Sequence, residues 1–167
     1  MGLMEKINLK KLCEELNIDL ANVLSKRAFI EDEKLISRIR SSEYYFEQIK
    51  NPSERVQLAA VKLNGHLIKY INNPSEEVQL AAINRHADAI KYIRNASEQV
   101  QLAAVKKDGQ VIEYIKNPSE EVQLVAIKNN YSSLFVFKVI PCIAAVKLAF
   151  EKDTSILERL PIEWLDN

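Results

Sequence analysis

The sequence predicts an all-α fold, namely an α-solenoid of short helix pairs that begin 22 residues apart, with divergent caps at both ends. The first observation behind this prediction is one motif written four times: Asn-Pro-Ser-Glu at Asn51, Asn73 and Asn117, and Asn-Ala-Ser-Glu at Asn95. The second is a Val-Gln-Leu triplet that follows every start in the same register. The third is the helical spacing of the apolar residues after each start. A fixed period in the twenties is typical of stacked repeats.

The start of each copy contains the residues of a helix N-terminus. In the copy at 51–72, Asn51 fits the N-cap and Pro52 the first helical position. Glu54, three residues after Asn51, completes a capping box. Ser53 is the alternative N-cap, but the proline favours Asn51. We therefore predict that the first helix begins at the Asn-Pro pair.

The body of each copy predicts two short helices. In the first copy, four apolar residues have the i, i+3, i+4, i+7 spacing of one helix face: Val56, Ala59, Ala60 and Leu63. Gly65 is expected to end this helix, because glycine takes the left-handed conformation of a helix C-terminus at little cost. The apolar residues in 67–71 predict the second helix. Such short helices are unstable alone, so stability must come from stacking on the next copy.

The ends of the chain are predicted to be caps of a single domain that spans 1–167, with the four repeats at 51–138. Residues 1–50 form an N-terminal cap and a degenerate repeat, which keeps the apolar pattern at Ile36, Ile39, Phe46 and Ile49. Residues 139–167 form a C-terminal cap, in which Pro141 opens one helix and Asp153-Thr154-Ser155 caps another. Trp164 belongs either to this cap or to an interface with a partner.

Residues 9–28 have a second interpretation. The spacing of Cys13, Asp19 and Val23 is close to that of a helix-turn-helix, which would make the chain a DNA-binding regulator. Glu14, Glu15 and Asp19 oppose contact with phosphates, so an N-terminal cap is the preferred interpretation.

The repeat motif resembles one that is already known. Asn-Pro-Ser-Glu-x-Val-Gln-Leu-Ala-Ala-Val, at 51–61, is similar to short helical repeats catalogued as a domain of unknown function in bacterial and phage proteins. Its logic is that of HEAT and armadillo repeats, whose units are about twice as long. The resemblance covers 51–138 and departs at Ala96 and Val125. It implies an α-solenoid used for binding, without catalytic residues to transfer.

Composition and charge argue against several classes of function. The chain has 23 basic and 23 acidic residues, which gives no general attraction to nucleic acid or anionic membranes. No apolar run approaches the ~20 residues of a membrane helix, and Met1–Lys11 lacks the apolar core of a signal peptide. Cys13 and Cys142 fit neither a zinc nor a redox spacing. We therefore expect a cytoplasmic protein without metal or cofactor.

The positions that differ between copies predict a partner-binding edge at the turn between the two helices, because repeat proteins vary most where they meet a ligand. We call it the turn edge; its predicted binding residues are His66, Arg85, His86, Asp88, Lys107, Asp108, Gln110, Asn130 and Tyr131. Loops also vary without function, so surface drift is the alternative. Metal binding by His66, His86, Asp88 and Asp108 is disfavoured, since the spacing matches no ligand pattern.

Two ladders of identical residues should run along the stack. Glutamine recurs at 57, 79, 101 and 123, and we expect its amide to bond the backbone of a neighbouring repeat, with partner binding as the alternative. Tyr70, Tyr92 and Tyr114 form a second ladder with half-buried rings.

These observations predict a protein-binding module that is not an enzyme, because motifs for phosphate loops, nucleophile elbows and metalloprotease helices are missing. A more specific form of the prediction, suggested by the resemblance, is a phage-type inhibitor or adaptor that acts on a host defence protein. The DNA-binding regulator is the rival hypothesis.

Overall fold

The structure is a computed structural model that describes residues 9–138 and 141–161, and every regular element in these ranges is a helix, which confirms the all-α prediction. The α-helices are α1 (Leu9–Glu15), α2 (Leu20–Ser41), α3 (Tyr44–Glu47), α4 (Glu54–Leu63), α5 (Glu76–Arg85), α6 (Glu98–Lys107), α7 (Glu120–Asn129), α8 (Ile143–Lys152) and α9 (Ile156–Arg159). The 3-10 helices are η1 (Gly65–Tyr70), η2 (Ala87–Tyr92), η3 (Gly109–Tyr114) and η4 (Tyr131–Val136). Trp164 lies outside the described residues.

The helices pack in two layers. Helices α4, α5, α6 and α7 each precede one 3-10 helix, and we call each such pair a unit. From α4 to α8 every α-helix packs against the next, and η1 to η4 do the same. Helix α2 packs against α4 and thereby covers the side of the first unit.

The core lies between these layers. In α4, Val56, Ala60 and Val61 have no exposed surface, and their equivalents in α5, α6 and α7 are at most 1% exposed. Alanine in the middle of each helix lets neighbouring backbones approach closely. Burial of a side chain such as Ile83 contributes about 1.5–3 kcal/mol, which short helices cannot obtain from hydrogen bonding alone.

The N-cap of each unit is a serine, so the predicted asparagine cap is wrong. Helix α4 begins at Glu54, and Ser53 Oγ accepts a hydrogen bond from the Val56 amide at 3.3 Å. Asn51 lies two residues earlier with φ of 50°, in the left-handed region that asparagine tolerates better than most residues. The serine hydroxyl decides the start of the helix because it satisfies an amide that the helix itself leaves unpaired.

The acidic residue after the serine bonds the following unit in the first three copies, so the predicted capping box is also wrong. Each serine hydroxyl donates to a carboxylate 21 residues earlier: Ser53 to Asp32, Ser75 to Glu54, Ser97 to Glu76, and Ser119 to Glu98. One hydroxyl therefore caps its own helix and links it to the previous one. This double role accounts for the serine in every copy and for the glutamate after it in the first three.

Gly65 is not in the predicted left-handed conformation, because the residues with positive φ in the described ranges are all asparagines. Helix α4 ends instead at an extended Asn64, with φ of −144°. A Cβ on Gly65 would lie 2.5 Å from the carbonyl oxygen of Ala82 in the next unit. The glycine is therefore required by close packing between units.

The N-terminal region contains one long helix that runs from the segment at 9–28 into the degenerate repeat. Asp19 is its N-cap and accepts from the Ala21 amide at 2.9 Å, and α2 continues to Ser41. Ile36 and Ile39 are buried, as the degenerate repeat predicts. Apolar side chains in the first half of α2 are half exposed.

The C-terminal elements follow the predicted order. Pro141 precedes α8, and α9 follows a turn in which Asp153 Oδ1 accepts from the Ser155 amide at 3.0 Å. Cys13 and Cys142 are both free thiols. None of the helices in the described ranges is long and apolar enough to cross a membrane.

Candidate partner-binding surface

The glutamine ladder has a structural role. Each Nε2 donates to a carbonyl five residues earlier at 2.9–3.1 Å: Gln57 to Pro52, Gln79 to Pro74, Gln101 to Ala96, and Gln123 to Pro118. These bonds fasten the inter-unit loop to the helix of the same unit, whereas we expected the backbone of a neighbouring repeat. Gln123 also bonds outside its own unit, because its Oε1 accepts from the Cys142 amide at 2.7 Å. Among the described residues, the other three glutamines of the ladder make no such hydrogen bond.

The last residue of three α-helices bonds the preceding unit. The contacts are Arg85 Nε to Leu63 O at 3.0 Å, Lys107 Nζ to Asn84 O, and Asn129 Nδ2 to Lys106 O at 2.9 Å. Their acceptors lie in the final helical turn, whose carbonyls have no partner within the helix. The three side chains differ in type, but each has a nitrogen that donates a hydrogen bond. Part of the variation on the turn edge therefore preserves one structural function.

Two more residues of the turn edge cap 3-10 helices. Asp108 Oδ1 accepts from the Gln110 amide at 2.9 Å, and Asn130 Oδ1 accepts from the Ser132 amide at 3.0 Å. The side chains of Gln110 and Tyr131 are exposed, with Tyr131 at 38%. These two are the members of the predicted set most available to a partner.

His66, His86 and Asp88 lie together between the first and second units. The imidazole rings stack with their centroids 4.5 Å apart, and His66 Nε2 lies 2.8 Å from Asp88 Oδ1. Asp88 Oδ2 also accepts from Lys91 Nζ at 2.8 Å. His86 Nδ1 accepts from the Gly65 amide at 3.2 Å, which links the two units directly.

The protonation states follow from these contacts. Burial lowers the pKa of His86, and the neighbouring His66 and Arg85 lower it further. A neutral ring is what the acceptor role of Nδ1 requires. For Asp88, burial opposes ionisation, but hydrogen bonds from Lys91 and His66 outweigh it and lower the pKa of the carboxyl group.

The histidine cluster makes a contact between units. Asp108, the fourth residue considered for a metal site, caps η3. In the part of the chain that the structure describes, no group of three or more His, Cys, Asp or Glu side chains is placed to hold a metal ion.

The 3-10 helices present a row of tyrosines. Tyr70, Tyr92 and Tyr114 are 36%, 39% and 41% exposed, whereas Ile90 and Ile112 on the same helices are at most 3% exposed. Lys69 lies over the ring of Tyr70, and Lys91 lies near the rings of Tyr92 and Tyr114. We call these five residues, Lys69, Tyr70, Lys91, Tyr92 and Tyr114, the tyrosine face.

The tyrosine face adjoins the turn edge. The ring of Tyr92 meets His66 edge-on with centroids 6.0 Å apart. The sequence shows the tyrosine ladder, but its exposure depends on how η1, η2 and η3 pack.

Residues 9–28 do form two helices, α1 and the start of α2, joined by residues 16–19. Asn17 in this turn has φ of 52°, and the Ile18 amide donates to Cys13 O at 2.8 Å. Glu14 and Glu15 are exposed beside the turn. DNA binding by this segment stays a prediction.

Comparisons of the chain with protein-family models, with curated proteins and with solved structures found no match. The resemblance to bacterial and phage repeats therefore stays a prediction from the motif at 51–61. The tyrosine face and the turn edge are the two surfaces that bear on the function of the chain.

Proposed function

We propose that this chain is an α-solenoid that binds another protein and catalyses no reaction. Support for the solenoid comes from four units whose α-helices begin 22 residues apart, from the shared core, and from the serine–carboxylate bonds between successive units. In this architecture each unit adds surface of the same kind, which builds an extended binding face. The shared core also supports the proposal of one domain.

The observation that carries the binding proposal is the exposed tyrosine row. Three consecutive units leave an aromatic ring 36–41% exposed at the same position, although neighbouring apolar side chains are buried. Tyrosine is enriched at protein interfaces and among the residues that dominate binding energy. Its ring buries a large apolar area while its hydroxyl keeps a hydrogen bond. Tyr92 and Tyr114 are the proposed central anchors.

The turn edge supplies the border of this surface. Gln110 and Tyr131 are exposed there, whereas Arg85 and Lys107 hold the preceding unit. We therefore propose that Tyr131 contributes more to binding than Arg85. Inhibition of a host defence protein stays the more specific prediction, and DNA binding by residues 9–28 stays the alternative.

The test begins with the immobilised chain in a cell extract and mass spectrometry of the bound proteins. The affinity of the purified partner is then measured for Tyr92→Ala and Tyr114→Ala, each expected to weaken binding by more than about 1 kcal/mol. Lys106→Ala and Lys128→Ala are matched controls, because both lysines are exposed in the last turns of α6 and α7. Melting temperatures show whether each variant is folded.

Three results separate the hypotheses. Equal affinity for the tyrosine variants and the lysine controls would contradict the tyrosine face. If Tyr131→Ala or Arg85→Ala lost binding while Tyr92→Ala and Tyr114→Ala bound normally, the site would lie on the turn edge. A sequence-specific gel shift with duplex DNA in the range of about 10⁻⁸–10⁻¹¹ M would favour the DNA-binding alternative.

A further inference from the structure

A polar groove lies between the first and second units and shares Lys69, Lys91 and Tyr92 with the tyrosine face. It encloses about 580 Å³, and its lining includes Lys69, Lys91, Tyr92 and Arg94. Gln79 also lines it and is held by the bond from its Nε2 to Pro74 O. Of the described residues that line the groove, none has a carboxylate.

Two of the three cations that line this groove lack an ion-paired carboxylate among the described residues. Lys91 Nζ donates to Asp88 Oδ2, but this uses one of its three donors. Neither Lys69 nor Arg94 makes an ion pair with any residue in the described ranges. A hydrogen bond with Tyr70 raises the pKa of Lys69, so its ammonium group is charged at neutral pH.

The positive charge of the groove is specific to this place in the stack, because the residues at equivalent positions of later units differ in charge. Lys69 and Lys91 occupy one position of the first two units, and Glu113 and Phe135 occupy it in the third and fourth. A groove formed one unit further along would therefore pair Lys91 with Glu113. The combination of Lys69, Lys91 and Arg94 without an acidic counterpart belongs to the first pair of units.

We propose that this groove binds an extended acidic segment of the partner protein. The inference rests on the proposed function and names the chemistry of the partner. An extended strand places alternate side chains on one side, about 7 Å apart, so a short segment brings two or three carboxylates to neighbouring cations. Charge-assisted hydrogen bonds to lysine and arginine are stronger than neutral ones. Tyr92 adds an apolar ring for the residues between them.

Nucleic acid fits this site less well than a peptide does. In duplex DNA each strand carries one negative charge per ~3.4 Å, so a phosphate backbone needs an uninterrupted basic track. Glu47 interacts electrostatically with Lys69 at one side of the groove, and Glu113 interacts with Tyr114 at the other. These carboxylates limit a negative ligand to about the length of two units, which suits a few acidic side chains.

The experiment measures fluorescence anisotropy of the full chain with a labelled peptide of about a dozen residues that alternates glycine and glutamate, a spacing that matches one side of a strand. The same peptide with glutamine in place of glutamate and an oligothymidylate of equal length are the comparison probes. We expect the glutamate peptide alone to bind, and the double variant Lys69→Ala/Arg94→Ala to weaken it by at least about tenfold. Lys106→Ala/Lys128→Ala, with the same change in charge, should bind as the wild type.

Several outcomes would overturn the inference. These are failure of the glutamate peptide to bind, equal binding of the glutamine peptide, stronger binding of oligothymidylate, or equal losses in both double variants. The acidic-segment inference can fail while the proposed function holds. A partner whose affinity depends on Tyr92 but not on Lys69 and Arg94 would keep the tyrosine face and refute the acidic segment.

Discussion

Replacing Gly65 by alanine tests how closely the units pack. The added Cβ would lie 2.5 Å from Ala82 O and 3.2 Å from the backbone nitrogen of His86. Ordinary van der Waals contact begins near 3.4 Å, so the two units must separate by about 0.9 Å at this point. Both neighbours are backbone atoms, which cannot move aside by rotation of a side chain. The strain is therefore transmitted to the packing between the units.

The expected loss of stability can be worked from these contacts. Overpacking of this kind costs about 1–3 kcal/mol, and the stiffer unfolded chain returns about 0.4–1 kcal/mol, so the midpoints of the two ranges give a loss of about 1.3 kcal/mol for Gly65→Ala. A left-handed glycine would predict a similar loss for alanine. Gly65→Asn separates the two explanations, because asparagine tolerates the left-handed region but is larger than alanine. Close packing predicts that asparagine is at least as harmful.

The assay is urea unfolding followed by far-UV circular dichroism. Ala87 is the matched control, since it occupies the same position in the second unit and its methyl group is already buried. Ala87→Gly should lose no more than about 1 kcal/mol, through the greater freedom of the unfolded chain. If Gly65→Ala were as stable as the wild type, or if asparagine were tolerated better than alanine, the packing explanation would be refuted.

Three further predictions concern the junctions between units. Asn73→Ala should lose about 1–2 kcal/mol and Asn73→Gly much less, because φ is 51° there; equal losses in urea unfolding would contradict this. Burial holds the folded pKa of His86 below the unfolded value of 6.5, so the unfolded state takes up the proton first as the pH falls. Stability should therefore decline as the pH falls from 6.5 to the folded pKa, and His86→Asn should reduce that decline. The same pH dependence of unfolding in His86→Asn and the wild type would contradict this reasoning. Ser97→Asp should be less stable than Ser97→Ala although aspartate is a good N-cap, because the carboxylate cannot donate to Glu76 and repels it; the opposite order of melting temperatures would count against the link between units.

Some of the fold could be predicted because it depends on local sequence. Helical spacing of apolar residues identifies the core side of the helix: Val56 and Ala60 are buried, whereas Ala59 and Leu63 are partly buried. The tyrosine ladder could also be found, since repetition marks equivalent positions. Half-buried rings could be expected as well, but the contact of Tyr92 with His66 could not, because it depends on how neighbouring 3-10 helices stack.

The capping predictions failed for a physical reason. Asn51, Pro52 and Ser53 are all favoured near helix starts, and local rules rank them without reference to the next unit. In the structure the serine hydroxyl accepts from the Val56 amide and also donates to Asp32, 21 residues earlier. A contact of that separation has no signal within one copy of the motif.

By itself the sequence determined that this chain is helical and which side chains its four copies bury, because both follow from spacing along a single helix. The tertiary structure alone decided the distances between neighbouring units. It made Gly65 a packing residue and turned Arg85 and Lys107 toward the carbonyls of the preceding helix. These roles depend on atoms about one repeat apart, which approach one another only when the helices stack.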